Sequence, residues 1–334
     1  MFNSKLAELL PYQVGGLLYA PAFRSDIVTK IREGGYPGLT SAALCLEDSV
    51  RDEALERAEQ FLKDILSALE EFQRQGGTLP LLFVRIRTPR HLEHVHRLLA
   101  GAGDVLTGYV LPKFDLSNAG DYAGLMERLC RSDGTPLFYM PILESRMIAD
   151  AAGRAACLTE LKQVCDARRD RILNVRVGGT DLCNLYGLRR SERQTIYDVG
   201  VVRDILTDII NVFGGDYVVS GPVWEYFGGN PRGAWAEGLR RELELDRLNG
   251  FVGKTSIHPC QLPLIQEGMK VSRRDYEDAM RILQWDEETL GVAKGGGGDR
   301  MNEVKCHTRW ARRVAALAQV YGVLEDTEVR RCEV

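Results

Sequence analysis

Eight times along most of this chain a short apolar run is followed by a long amphipathic stretch, and that alternation limits the fold more than any other feature. The apolar runs are Gly16–Ala20, Thr40–Leu46, Pro80–Arg87, Val105–Leu111, Pro136–Leu143, Arg171–Val177, Tyr217–Ser220 and Gly250–Ile257. Segments of helical spacing lie between them, such as Asp52–Gln75, rich in Glu, Leu and Ala and stopped by Gly76-Gly77. Eight strand-then-helix units, with no block of strands alone, predict an α/β protein with a parallel sheet. Closure into a TIM (β/α)8 barrel is the economical solution, and a doubly wound open sheet is the alternative. The first strand lacks the G-x-G-x-x-G turn of a dinucleotide fold, which weighs against the open sheet.

The barrel is expected to occupy residues 1–290. Beyond it, KGGGGDR (Lys294–Arg300) reads as a flexible hinge. Met301–Tyr321 then reads as a helix with an apolar stripe at Trp310, Val314, Leu317 and Tyr321. Residues 291–334 are therefore expected to form a Gly-hinged C-terminal helical extension. Such a segment is too short to fold alone, so it should pack on its own barrel or on a neighbouring subunit.

Composition removes several classes. Hydrophobic residues make up 45% and charged residues 27% of the 334, values of a globular protein with a large core. The formal charge of −4 offers no basic excess for nucleic acid. No stretch approaches the ~20 apolar residues of a membrane span, and the N-terminal residues lack a signal-type apolar core. The eight cysteines include no C-x-x-C, and several sit inside apolar runs such as Leu44-Cys45-Leu46. Reduced thiols in a cytoplasmic protein are the expectation.

In a parallel barrel the C-terminal strand ends carry the chemistry. Here strand two ends in Glu47-Asp48, and strand three carries Arg85 and Arg87 at a spacing that puts both on one face. Strand four ends in Pro112-Lys113 and strand five in Glu144. Strand six runs into Gly178-Gly179-Thr180-Asp181, strand seven into Ser220-Gly221-Pro222, and strand eight into His258-Pro259. Taken singly, Asp48 or Asp181 could cap the next helix, and Arg85 could form a buried pair with Glu47. Taken together they form a charged rim that a barrel does not need in order to fold. Glu144 and Asp181, from adjacent strands, suit a hard cation such as magnesium, with manganese as a substitute. Arginine offers a planar fork for a substrate carboxylate. Such an ion polarises a carbonyl and stabilises an enolate while a carbon–carbon bond breaks or forms. Lys113 at a strand end leaves a Schiff-base aldolase as a further alternative.

These residues also fall into a pattern. LYAPA (Leu18–Ala22), CLEDSV (Cys45–Val50), VRIR (Val84–Arg87), LPK (Leu111–Lys113), LES (Leu143–Ser145), GGTDL (Gly178–Leu182) and IHPCQ (Ile257–Gln261) occur in order at the predicted strand ends. In this the chain resembles the citrate lyase beta-subunit-like aldolases and lyases, which include malyl-CoA lyases, from about Leu18 to Gln261. The resemblance implies a TIM barrel in a homo-oligomer, a trimer in the first instance. It implies magnesium held by Glu144 and Asp181, and Arg85 binding the substrate carboxylate or carbonyl oxygen. It places Glu47 and Asp48 in the catalytic machinery, supporting the ion's water shell and orienting Arg85. Lys113, Gly179, Thr180 and Pro222 join Arg85 and Arg87 as substrate-binding candidates. The implied reaction is reversible cleavage of a hydroxy-acid or hydroxyacyl bond in a small anionic substrate: an oxo-acid, a hydroxy-acid or an acyl thioester. No nucleic acid and no membrane are expected as partners.

Two positions depart from that pattern. Arg87 stands where the pattern has Asn, and a second cation predicts a more anionic substrate. Ala22 stands where it has Gly. The basic segment Tyr186–Tyr197 is also unlike the acyl-CoA lyases, and reads either as a phosphate or partner site or as a solvated helix face. A thioester hydrolase on the same scaffold and a non-catalytic barrel subunit are the competing functions. Retention of Arg85, Glu144 and Asp181 together argues against the second.

Overall fold

The computed structural model describes residues 4–286 and 290–324. They form two compact units, one of Val14–Ile265 and one drawn from Met1–Gln13 and Gln266–Val334.

The larger unit is the barrel. Its strands are β1 (Gly16–Pro21), β2 (Ser41–Cys45), β3 (Leu81–Arg85), β4 (Gly108–Leu111), β5 (Phe138–Leu143), β6 (Val175–Val177), β7 (Val219–Ser220) and β8 (Lys254–Ser256). All are parallel, in the order β7-β6-β5-β4-β3-β2-β1-β8. The circle closes through a Gly221–Lys254 bridge and through Val252 N–H donating to Val219 O at 2.8 Å. All eight expected strands are therefore present, and the closed barrel replaces the open-sheet alternative.

Strand alternation sorts the side chains. Leu18, Ala20, Leu44, Leu46, Val84 and Ile86 join the apolar layer between strands and helices. Their neighbours Tyr19, Cys45 and Arg85 face the other way, into the barrel. The helix Leu55–Arg74 buries Ala58, Leu62, Ile65, Leu66 and Leu69, the three-to-four spacing of one face. The helix Pro89–Leu98 starts where Thr88 accepts from His91 N–H at 3.1 Å with proline at its first position. Among the described residues no helix is long and apolar enough to cross a membrane, and the seven described cysteines are free.

In the smaller unit the helix Arg273–Leu283, which buries Ala279 and Ile282, packs on the helix Val304–Tyr321, which buries Ala311, Val314 and Leu317. The last helix follows the expected stripe. The glycine run lies within a hairpin. β10 (Val292–Lys294) and β11 (Met301–Glu303) pair antiparallel, and Gly295–Arg300 is the turn between them. β9 (Val271–Ser272) and β12 (Val323–Leu324) make a second short pair. The reason lies outside the run. Asp278 is fully buried and accepts from Gly296 N–H at 2.9 Å and from Arg300 Nε at 2.6 Å.

Burial opposes ionisation of Asp278, but the Gly296 and Arg300 bonds hold its carboxyl below the ordinary 3.8. A depressed folded value means stabilisation that is present above pH 3.8 and is lost as the pH falls below it. Asp278→Ala should cost the hairpin about 2 kcal/mol, the scale of hydrogen bonds to a charged group. Tryptic cleavage after Lys294 should then rise about thirtyfold where opening equilibrates before cutting. Unchanged cleavage would show that the aspartate does not hold the turn.

Candidate active site

The expected charged residues collect on the C-terminal rim. Arg85 is the last residue of β3, Glu47 and Asp48 lie just beyond β2, Lys113 beyond β4 and Glu144 beyond β5. Arg85 Nη2 is 2.8 Å from Glu47, 3.2 Å from Asp48 and 3.7 Å from Glu144. Lys113 Nζ is 2.7 Å from Glu47 Oε1 and 3.5 Å from Asp48 Oδ1. The backbone takes part too. Lys113 adopts φ 49°, in the left-handed region, and its N–H donates to Glu144 Oε1 at 2.9 Å.

Asp181 sits in the first turn of the helix Gly179–Leu185, and its charge acts on both Glu144 and Lys113. The approach of β6 to Glu144 depends on Gly178. A Cβ there would lie 1.8 Å from Glu144 Oε2. Gly179 packs against Pro222, where a Cβ would meet the proline Cβ at 2.7 Å. Thr180 is exposed beside them.

The electrostatics are short of positive charge. Four carboxylates (Glu47, Asp48, Glu144 and Asp181) face two cations (Arg85 and Lys113), a formal excess of two negative charges. Burial pushes the Glu144 carboxyl up to about 8, with Asp181 and Glu47 adding to the push and Arg85 opposing it. Burial likewise raises Glu47 against the pull of Arg85 and Lys113. Arg85 is held cationic by the Glu144 and Glu47 carboxylates despite its burial. A divalent cation beside Glu144 and Asp181 would balance the excess. Among the described residues no three or more His, Cys, Asp or Glu side chains are placed to enclose an ion. A two-carboxylate donor set of hard oxygens, leaving positions for water and substrate, is the arrangement magnesium accepts.

Arg87 stands apart from this cluster. β3 ends at Arg85, and the Arg87 guanidinium turns to Leu46 O at 2.7 Å, to Val50 O and to Asp52. Its own N–H donates to His91 Nδ1 at 3.0 Å. It clamps the loop that carries Glu47 and Asp48. His258 also lies outside the cluster, stacked on Phe227 with ring centroids 4.5 Å apart. The structure adds Tyr19 of β1, which the sequence did not single out. Its ring lies under Arg85, with Cζ 5.3 Å from the ring centroid. The signal was available as the one polar side chain in an otherwise apolar first strand.

Acid and base side chains gathered at one end of a closed parallel barrel define an enzyme of the TIM-barrel class. The chain belongs to the family described as C-C_Bond_Lyase of the TIM-Barrel fold, which matches residues 8–323, and is thus a carbon–carbon bond lyase. Among solved structures it is similar to a citrate lyase from Burkholderia xenovorans, at 16% identity, 95% coverage of each chain and a TM-score of 0.69. It is also similar to CitE from Mycobacterium tuberculosis in complex with magnesium, acetoacetate and coenzyme A. There the identity is 20%, coverage 92% of this chain and 99% of that one, and the TM-score 0.59. RipC from Yersinia pestis aligns at 19% identity over 77% of this chain and 95% of its own, with a TM-score of 0.53. At these identities the structures support the fold alone. No curated protein matches the sequence.

Proposed function

We propose that the chain is a magnesium-dependent lyase that breaks or forms a carbon–carbon bond in a small anionic oxo-acid, hydroxy-acid or acyl thioester. The observation that carries this reading is the uncompensated negative charge around Glu144, set beside a guanidinium on the rim of a lyase-family barrel. Glu144 and Asp181 would hold the ion. When bound, it would supply positive charge to the substrate oxygens while the bond breaks or forms. The mycobacterial neighbour that binds magnesium and acetoacetate accords with this choice.

The chain's own groups have separate tasks. Arg85 holds the substrate carboxylate or carbonyl oxygen with its planar fork. Glu47 and Asp48 orient that fork from one side, and Lys113 neutralises them from the other. The Lys113 N–H keeps one Glu144 oxygen turned toward β4. Pro222 and Gly179 close the wall next to Asp181.

Calorimetry tests the metal. The wild-type chain should bind magnesium or manganese, and Asp181→Ala should lose at least about tenfold in affinity, equivalent to about 1.4 kcal/mol. Equal binding by the two would remove Asp181 from the site. Product analysis on oxo-acids and acyl thioesters tests the reaction. A lyase yields two carbon fragments, whereas hydrolysis to an acid and a thiol would overturn it.

A further inference from the structure

The barrel unit holds a cavity that the rim chemistry does not use. Its volume is about 330 Å³, and it lies between the helix Pro89–Leu98 and the loops that lead into β4 and β5. Lys113 and Glu144 follow the far ends of those two strands, so the cavity sits at the other end of the barrel wall from the charged cluster. Buried Leu99, Leu106, Leu129 and Leu137 form its apolar walls. Arg97, Arg131, Glu93, Asp104, His96 and Tyr109 supply its polar groups. A concave apolar surface with a few convergent polar groups is the usual make-up of a small-molecule site.

The charges on this lining are unevenly paired. Glu93 lies 3.5 Å from Arg128 Nη1. Asp104 accepts from Ser132 N–H at 2.9 Å and from the Ser132 hydroxyl. Among the described residues neither Arg97 nor Arg131 forms an ion pair. The Arg131 Nε donates to Leu106 O at 2.8 Å, which fixes the guanidinium against one wall of the cavity. That bond joins the two loops and leaves the Nη groups without an acceptor among the described residues. Burial pushes the Arg131 guanidinium down, with Asp133 and Asp104 opposing. Nearby, His96 Nδ1 and the Tyr109 hydroxyl share a hydrogen bond of 3.2 Å. Burial lowers the His96 imidazole, so at neutral pH it adds hydrogen-bonding capacity without charge. An inorganic anion would leave the leucine walls uncovered, and an uncharged apolar molecule would leave Arg131 unpaired.

We propose that this cavity binds a small organic carboxylate with an apolar body, aromatic or branched. The carboxylate pairs with the Arg131 Nη groups, whose planar fork suits two oxygens. The body covers the leucines, and the exposed Arg97 adds a second positive charge at the mouth. The site is separate from the rim and does not depend on the lyase reading.

Benzoate is the probe, and benzamide, with the same ring and no charge, is its control. Ligand-observed NMR titrations follow both on the full chain without added metal, as wild type, Arg131→Gln, Ala100→Trp and Arg85→Gln. Wild type should bind benzoate, and benzamide about tenfold more weakly, the scale of a hydrogen bond to a charged group. Arg131→Gln should lose about tenfold in benzoate affinity. Ala100→Trp puts bulk at an exposed position of the lining, keeps Arg131 and should lose as much. Should Arg131→Gln fail to fold, Ala100→Trp decides in its place. Arg85→Gln should bind benzoate as wild type does. Wild-type affinity in Arg131→Gln overturns the proposal, as does a loss confined to Arg85→Gln, which would place benzoate at the rim. So does a wild type that binds no benzoate at about 10 mM, where a ligand of this size should register.

Discussion

Gly178→Ala should fold and lose magnesium affinity by about a hundredfold or more, equivalent to about 2.8 kcal/mol. The added methyl carbon would stand 1.8 Å from Glu144 Oε2 and 2.5 Å from Glu144 Cβ. Neither partner can step aside freely. Glu144 is 3% exposed and is fixed by the Lys113 N–H and by Arg85. Gly178 N–H is itself tied to Leu143 O at 3.3 Å. Relief must therefore come from swinging the carboxylate out of the site or from moving the end of β6, and Asp181 follows three residues later. Either movement separates the two proposed ligands. The stability cost should stay near the 1–3 kcal/mol typical of about one methyl too many in a packed region. Gly124→Ala is the control, because a Cβ there meets nothing within 4 Å. Calorimetry for the ion and circular dichroism for the fold read the two effects separately. A Gly178→Ala protein with wild-type affinity would show that Glu144 does not hold the ion.

The sequence shows the barrel because a parallel strand is covered on both faces and reads as one apolar run. It shows Glu47, Lys113 and Glu144 because each is a charge placed where such a run stops. It misplaces Arg87 for a reason of the same kind. The two-residue period holds only while the strand lasts, and β3 stops at Arg85. Arg87 then takes its direction from the carbonyls of Leu46 and Val50. Tyr19 is marked only as a polar residue within an apolar strand, which gives no sign that its ring lies under Arg85. The glycine run gives no sign of its hairpin because the turn is tied to Asp278, 18 residues away in sequence from Gly296. The basic segment Tyr186–Tyr197 divides in two. Arg189 and Arg193 are exposed, whereas Arg190 is buried against Glu242 and stacks over Trp224.

Lys254→Met should destabilise the barrel by about 3–5 kcal/mol, the cost of leaving a buried charge unpaired. Lys254, Glu242 and Asp246 are all fully buried. Lys254 Nζ lies 2.9 Å from Glu242 Oε1 and 2.7 Å from Asp246 Oδ2. Arg190 Nη2 is 3.2 Å from the same Glu242 oxygen, Ile196 N–H donates to Glu242 Oε2 at 2.6 Å, and Tyr197 donates to Asp246 at 2.8 Å. Two cations thus balance two anions, and the group ties the segment after Asp181 to β8 and to the helix Ala234–Leu248. Burial pushes the Asp246 carboxyl up to about 6 even with Lys254 opposing it. Without the lysine it rises further, and a raised folded value means that stability falls as the pH rises through the range between the unfolded and folded values. The loss in Lys254→Met should therefore be larger at pH 8 than at pH 5. Adding Asp246→Asn restores the charge balance and keeps an acceptor for Tyr197, so the double variant should return to within about 1 kcal/mol of wild type, as matched replacements of buried pairs often do. Urea titrations at the two pH values measure all three proteins. A double variant no more stable than Lys254→Met alone would show that the lysine contributes packing rather than charge.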